Sequence, residues 1–388
     1  MTHTYLVAGH NLTLLRNGEE YFPRLVAAID AAQRFVYLET YIYAADKAGS
    51  LLAAAIKRAA ARGVVVRVLL DGYGSADLPE HWIDELHAAG VEVLWFRKEV
   101  GRFSLRRYHL RRLHRKLAVI DGKIAFIGGI NITDDLSGGL SAPRLDYAVE
   151  VEGAVVHDMH VAMRRLWLLV SWTHFHRQGE RDKVRLLHRV HTQQQVQFVT
   201  RDSLRHRRDI EHAYLKAIAQ AQHEIIIANA YFLPGRRFRR ALLEKAQAGV
   251  RVILLLQGRV EYRLQHYATL ALYDEFLKVG VEIHEYQSSF MHAKVAVVDG
   301  TWSTVGSSNI DPFSLWLARE ANLMVSDAAF AGALRTDLLY MITQHSRRVL
   351  RSSWRQWNIF LWLLMRFSYG FTRLLTGIIG HAKESDDI

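Results

Sequence analysis

Leu113–Asp135 reads LHRKLAVIDGKIAFIGGINITDD, and Met291–Pro312 reads MHAKVAVVDGTWSTVGSSNIDP. Each copy sets a His and a Lys two residues apart, an Asp five beyond the Lys, a Gly turn, a second apolar run and a glycine-containing corner ending in Asn. Residues two apart on a strand share a face, so His114 with Lys116, and His292 with Lys294, are expected to point the same way from a buried strand. A lone His on an apolar strand is ordinarily a satisfied core residue, and a lone His-x-Lys is cheap by chance. Two copies that keep His, Lys, Asp and Asn at identical offsets in otherwise divergent sequence shift the reading to function.

The duplication extends outward from this stretch. NGEEYFPRLVAAIDAAQRFVYLETYIY resembles RRDIEHAYLKAIAQAQHEIIIANAYFL, with Glu39-Thr40-Tyr41 set opposite Asn229-Ala230-Tyr231. LLAAAIKRAAARGVVVRVLLDG resembles FRRALLEKAQAGVRVILLLQG, each a helix, a glycine stop at Gly63 or Gly249 and a strand. Gly90 and Gly280 match in a third pair of segments. The expected fold is α/β: two related α-β-α sandwich halves, each with a largely parallel or mixed sheet covered by helices, meeting across a pseudo-two-fold axis at one cleft. The expected organisation is a first half over residues 1–176, a polar, basic linker over 177–195, a second half over 196–345, an amphipathic segment over 346–380 and a tail over 381–388.

Paired histidines and lysines suit phosphate chemistry. A neutral imidazole can attack phosphorus and hold it covalently. A second can protonate the leaving alkoxide and then take a proton from the incoming nucleophile. Lysines and side-chain amides stabilise charge on the non-bridging oxygens, and glycines let backbone N–H groups approach a phosphate.

Composition bounds the rest. The chain has 388 residues, enough for two domains, and half of them are hydrophobic. It has no Cys, which excludes disulfides, thiol nucleophiles and thiolate metal sites. A formal net charge of +11 favours polyanionic partners, nucleic acid or an anionic membrane. The N-terminus lacks the pattern of a signal peptide, and no apolar run is long enough for a confident spanning helix.

The two stretches resemble the paired HxKxxxxD motifs of the phospholipase D superfamily, and the resemblance runs through about Asp327. Within it, LHRKLAVIDGKIAFIGGINI, RLDYAVEVEG and GSSNIDPFSLWLAREANL are most similar to bacterial cardiolipin synthases of the compact type without N-terminal membrane spans. The resemblance implies a ping-pong reaction through a phosphohistidine, with no metal and no cofactor. It assigns His114 as nucleophile and His292 as general acid/base, with the reverse assignment left open. Lys116, Lys294, Asn131 and Asn309 would bind phosphate. A carboxylate after each motif would orient a histidine: Glu320 in the second half and, one carbon shorter, Asp146 in the first. Asp121 and Asp299 complete the motif; an Asp just before a turn also bonds backbone N–H groups. Ser307, a candidate phosphate contact, is matched by Gly129, so the site is expected to be asymmetric.

Two further segments bear on partners. Arg97–Lys116 holds nine Arg or Lys residues beside Phe103 and Tyr108, which fits phospholipid headgroups or nucleic acid. Arg348, Arg355, Arg366 and Arg373 follow one another at spacings of seven and eleven among Trp, Phe and Leu. On one helix they would form a narrow stripe beside a wide aromatic face, the pattern of an interfacial helix; a helix packed on the protein's own core is the alternative. His160–Arg177 is a second, weaker candidate. The expectation is a peripheral enzyme on the cytoplasmic face of a bacterial cell membrane. It would take phosphatidylglycerol, with phosphatidylethanolamine as the alternative donor, and form cardiolipin and glycerol. Hydrolysis by a phospholipase D, or a phosphodiesterase or nuclease, is the alternative within enzymes; the aromatic C-terminus argues against nucleic acid. A non-catalytic lipid or nucleic-acid binder is the reading from another class, and the intact motifs count against it. Nothing in the sequence sets an oligomeric state.

Overall fold

Short β-branched runs punctuated by Gly and Asp turns build two sheets of the same design. The computed structural model describes residues 3–98, 111–136, 142–174, 195–202, 206–311, 318–354 and 363–372. The expected linker, apart from Gln195, and the core of the basic stretch, residues 99–110, lie outside the described residues. The strands are β1 (Thr4–Val7), β2 (His10–Arg16), β3 (Phe35–Thr40), β4 (Val65–Asp71), β5 (Glu92–Phe96), β6 (Arg112–Leu113), β7 (Leu117–Ile120), β8 (Ile124–Gly128) and β9 (Tyr147–Glu152). They continue as β10 (Val196–Arg201), β11 (Glu224–Asn229), β12 (Arg251–Gln257), β13 (Glu282–Tyr286), β14 (Lys294–Val298), β15 (Trp302–Gly306), β16 (Ala318–Ser326) and β17 (Ser346–Arg348).

The first sheet runs β1-β2-β9-β8-β7-β3-β4-β5 and the second β10-β16-β15-β14-β11-β12-β13-β17. Without the edge strands β1 and β17, the two orders are the same permutation of chain order, as expected of a duplication. β3, β4 and β5 are parallel, as are β11, β12 and β13, and the remaining neighbours on each path are antiparallel, so each sheet is mixed.

Alternation along the strands assigns the faces. Val36, Leu38, Ala118 and Ile120 point to an outer core under the first half's helices. Ile225, Ile227, Ala296 and Val298 do the same in the second half. The opposite residues, Tyr37, Leu117, Val119, Ile226, Ala228, Val295 and Val297, meet in one core shared by both sheets. The helix Val155–His174 enters that core with Met159, Met163, Leu166 and Trp167. His160–Arg177 is therefore in large part a core helix, although Trp172 on it is exposed.

The strand pairing corrects the repeat alignment by one residue. Leu117 and Val295 are equivalent, and they pair with Glu39 and Ala228. Thr40, not Glu39, thus stands opposite Asn229. The sequence similarity around Tyr41 and Tyr231 had pulled the register one step.

The C-terminal segment is not one continuous helix. Arg348 lies in β17, on the edge of β13, where Arg347 pairs with Glu285. Edge hydrogen bonding and these ion pairs hold residues 346–348 extended, so the four-Arg helical stripe does not form; Arg355 and Arg373 are outside the described residues. Residues 363–372 are helical. One face, with Met365, Ser368 and Thr372, is buried against the second half. The other exposes Leu363, Leu364, Phe367 and Phe371, with the two Phe rings stacked at 5.9 Å.

Candidate active site

Each motif folds the same way. The Asp-Gly pair after β7 or β14 has positive φ at both residues: 53° and 69° at Asp121 and Gly122, 50° and 64° at Asp299 and Gly300. They form a tight turn, closed by Lys123 N–H on the Ile120 carbonyl at 3.0 Å and by Thr301 N–H on the Val298 carbonyl at 3.1 Å, with three residues between the paired strand ends. Asp121 accepts the N–H groups of Gln33, Arg34 and Phe35 at 2.9, 2.8 and 2.9 Å. Asp299 accepts those of Gln222, His223 and Glu224, each at 2.8 Å. These bonds hold both carboxyls below their ordinary pKa against a partial burial that raises it. The motif aspartates therefore sit at the far end of the strand from the His-Lys pair and staple the entry of β3 and β11. That is the backbone-bonding role open to an Asp just before a turn.

At the other end, the histidines lie just before the strands rather than within them. Lys116 Nζ reaches back to donate to the His114 carbonyl at 2.8 Å, and Lys294 Nζ does the same to the His292 carbonyl. His and Lys thus stay together through this loop, not through strand alternation.

The chain before each histidine crosses to the other half. β6 pairs with the start of β16, and His114 N–H donates to the Arg319 carbonyl at 3.0 Å. His292 N–H donates to the Leu145 carbonyl at 2.7 Å. The residues following Arg319 and Leu145 are Glu320 and Asp146. Each carboxylate therefore orients the histidine of the other half. Glu320 accepts from His114 Nδ1 at 3.0 and 3.1 Å, and Asp146 from His292 Nδ1 at 2.6 Å. With Nδ1–H donated to the ionised Glu320, Nε2 of His114 carries the lone pair available for chemistry.

The two pairs are electrostatically unequal. Glu320 is fully buried, yet its carboxyl is held below the usual range, because His114, Arg201 (3.6 Å) and Lys116 outweigh desolvation. Ser307 Oγ also donates to it, which engages the hydroxyl that the sequence reading offered to phosphate. In the register of β2 and β10, Asn17 occupies the place of Arg201, and its amide oxygen accepts the Asp146 backbone N–H at 3.1 Å. Asp146 has no arginine behind it among the described residues, and burial pushes its carboxyl up to about 7 despite Lys294. Gly129 is required here: a Cβ would fall 2.2 Å from Asp146 Oδ1. The shorter acid fills the space that Ser307 fills in the other half.

Burial lowers the His114 imidazole to about 4 even against the Glu320 charge, and drives His292 well below its ordinary value, with Lys294 and Lys116 adding to the effect. Both rings are neutral at neutral pH. Desolvation also lowers Lys116 to about 7 and Lys294 to about 8. Four bases and two acids thus share one buried centre, and an anion would restore the lysine charges that burial opposes; this is the electrostatic form of a phosphate site.

Asn131 and Asn309, at the corners that follow β8 and β15, are both buried. Asn131 Oδ1 accepts from Ile42 N–H at 3.2 Å, whereas Asn309 Oδ1 is buried without a partner. Sequence reading missed Arg201, visible only as a charge ending an apolar strand, and Tyr41. The Tyr41 ring lies 4.8 Å from the His114 ring and 5.3 Å from Lys116 Nζ; in the corrected register its place in the second half is taken by Ala230, so the repeat carried no signal for it. Among the described residues, no cluster of His, Asp and Glu is arranged to hold a metal ion.

Paired histidines, each backed by a carboxylate from the opposite half and flanked by lysines, define a duplicated phosphoryl-transfer site of the phospholipase D type. The family model described as "Cardiolipin synthase, PLD-like domain" matches residues 25–167 and 214–342. Cardiolipin synthase B of Shigella flexneri is 42% identical over 352 residues, covering 88% of this chain and 82% of the relative. Cardiolipin synthase B of Salmonella typhi is 39% identical over 388 residues, covering 96% and 90%. The fold is also that of a phosphatidylserine synthase from Haemophilus influenzae Rd KW20, with a TM-score of 0.71, 14% identity and 94% of each chain covered. The chain belongs to the phospholipase D superfamily, in its cardiolipin synthase family.

Proposed function

We propose that the chain is a cardiolipin synthase that moves a phosphatidyl group between two phosphatidylglycerol molecules through a phosphohistidine. The crossed His–carboxylate pairs carry this reading. His114, with Nδ1 fixed by the ionised Glu320, attacks phosphorus through Nε2; Glu320 then stabilises the positive charge that develops on the ring. The His292–Asp146 pair supplies the leaving glycerol with its proton. A carboxyl near neutrality and a neutral imidazole joined by a short bond share that proton at the pH where it must be passed on. Lys116, Lys294 and the corner amides hold the non-bridging oxygens. The terminal hydroxyl of the second phosphatidylglycerol then gives its proton to His292 and attacks phosphorus, releasing His114.

The lipids arrive from a membrane. No helix among the described residues is long and apolar enough to cross one. The outward face of helix 363–372, with Phe367 and Phe371, supports peripheral binding. The excess of basic residues favours an anionic surface, here the cytoplasmic face of a bacterial cell membrane.

The test is lipid mass spectrometry after incubation with phosphatidylglycerol in mixed micelles, wild type beside His114→Ala and His292→Ala. Cardiolipin with free glycerol from the wild type alone supports the reading. Phosphatidic acid in its place would make the enzyme a hydrolase, and absence of lipid turnover by folded protein would overturn the reading.

A further inference from the structure

The two halves part company at one equivalent residue. Asp71 ends β4 and Gln257 ends β12, and each braces the chain just before a histidine. Leu113 N–H donates to Asp71 Oδ2 at 2.7 Å, and Met291 N–H donates to Gln257 Oε1 at 3.0 Å. In the first half, Tyr73 and Gly74 N–H each donate to Asp71 Oδ1 at 3.0 Å. That turn closes over the strand ends. In the second half the chain instead runs from Gly258 to Tyr262 into the helix Arg263–Leu270.

A pocket open to solvent is left at the C-terminal ends of β11 and β12, lined by Tyr231, Gln257, Glu261, Tyr262 and His266 among others. This end of parallel strands is where such sheets bind ligands. It is also the His292 end: Ala230 N–H donates to the Ala293 carbonyl at 3.0 Å, and the Glu261 charge acts on Lys294.

The lining selects a chemistry. Because Gln257 Oε1 faces an N–H, its free end is the amide NH₂, buried without a partner in a residue that is 9% exposed. An orphaned donor in a cavity wall calls for a ligand oxygen. Glu261 accepts from Tyr231 Oη at 2.6 Å, stands 3.7 Å from Arg144 and keeps acceptor capacity. Arg259 is engaged by the carbonyls of Gln287 and Ser288. His266 is held neutral chiefly by burial. An anion here would meet Glu261 with no free cation among the described lining residues, whereas vicinal hydroxyls would find one donor and one acceptor.

We propose that this cavity is the alcohol subsite: it seats a glyceryl group, with Gln257 donating to one hydroxyl and Glu261 accepting from another. The assignment rests on the transferase reading above. A glyceryl group held there presents its terminal hydroxyl to phosphorus. As the O–P bond forms, the hydroxyl proton passes to His292, the P–N bond to His114 breaks, and its electron pair returns to the imidazole. The same seat receives the departing headgroup in the first half-reaction. The glyceryl group comes from a lipid headgroup or from free glycerol.

The test is a competition at pH 8. Protein is given phosphatidylglycerol micelles with deuterated glycerol and 1-propanol at equal concentration, and products are read by mass spectrometry. Gln257→Glu keeps the acceptor for Met291 N–H and removes the donor; Glu261→Gln removes the charged acceptor. Each is expected to lower the ratio of glyceryl products to phosphatidylpropanol by about tenfold, the effect of one hydrogen bond to a well-placed group. A fall in the cardiolipin ratio alone assigns the cavity to lipid-borne headgroups; a fall in deuterated phosphatidylglycerol as well assigns it to glycerol in either form. Unchanged ratios overturn the proposal, as does a folded variant dead to every alcohol, which would place these residues in the chemistry itself. If either variant fails to fold, Gln265→Leu, at another residue lining the same pocket, decides by the same ratio. A wild type that transfers to no alcohol refutes the transferase reading instead, a result separate from any change in selectivity.

Discussion

Lys116→Met should stabilise the protein while abolishing transfer. Lys116 is fully buried, and desolvation lowers its ammonium from 10.5 to about 7 in the fold, against the raising effect of Glu320. For a base whose folded pKa lies below its unfolded value, the unfolded chain binds more protons between the two, so stability rises with pH through that window. The penalty is complete below about pH 7 and fades towards pH 10.5. At about 1.4 kcal/mol per unit, it amounts to roughly 5 kcal/mol at pH 6.5 and roughly 1 kcal/mol at pH 9.5. Methionine has similar length and no charge to desolvate. Its gain over wild type should therefore shrink by roughly 3 kcal/mol between those pH values, the lost bond to the His114 carbonyl being common to both. Urea unfolding of both proteins at pH 6.5 and 9.5 measures this. A variant less stable than wild type at pH 6.5, or a difference independent of pH, would refute the claim that the buried lysine charge destabilises the fold.

The same cations set a pH profile. Lys116 and Lys294, lowered to about 7 and about 8, lose their charge as pH rises, so kcat/KM should decline from about pH 7 and more steeply above about pH 8. The limb for kcat should lie higher, because bound phosphate favours the ammonium; coincident limbs would contradict this. Gly129→Ala puts a methyl 2.2 Å from Asp146 Oδ1, displacing the carboxylate from His292, and turnover should fall about a hundredfold; near-normal turnover would mean that Asp146 does not position His292. Exchanging Phe367 and Phe371 for Ser removes exposed rings of 66% and 40% accessibility. Cosedimentation with anionic vesicles should weaken about tenfold or more, and unchanged binding would dismiss helix 363–372 as the membrane contact.

The duplicated motif carried most of the fold, because local spacing and glycine stops report strands and helices, and a repeat reports two of everything. His114, Lys116, His292 and Lys294 share one buried centre, but through the loop before each strand and not through the strand alternation that the spacing implied. What spacing does not contain is how two halves face each other. The exchange of Glu320 and Asp146 between histidines depends on β6 lying beside β16 and on Leu145 bonding to the chain around His292. Ser307 and Gly129 looked like a phosphate-binding hydroxyl present in one half and missing from the other; in the fold they compensate for carboxylates of different length. Asp121 and Asp299 share the motif with the reactive residues but stand at the opposite end of the strand, where their role is to hold turns. Arg348 matched a helical period and was claimed by a sheet edge, a tertiary choice that periodicity does not register.

Covalent capture of the intermediate is the most direct test of the site. Wild-type protein is mixed briefly with short-chain phosphatidylglycerol, quenched under conditions that preserve phosphohistidine, digested and sequenced by mass spectrometry. A phosphatidyl adduct on His114, absent from His114→Ala, is the predicted result. An adduct on His292 in wild type, or turnover to cardiolipin that survives loss of His114, would contradict it.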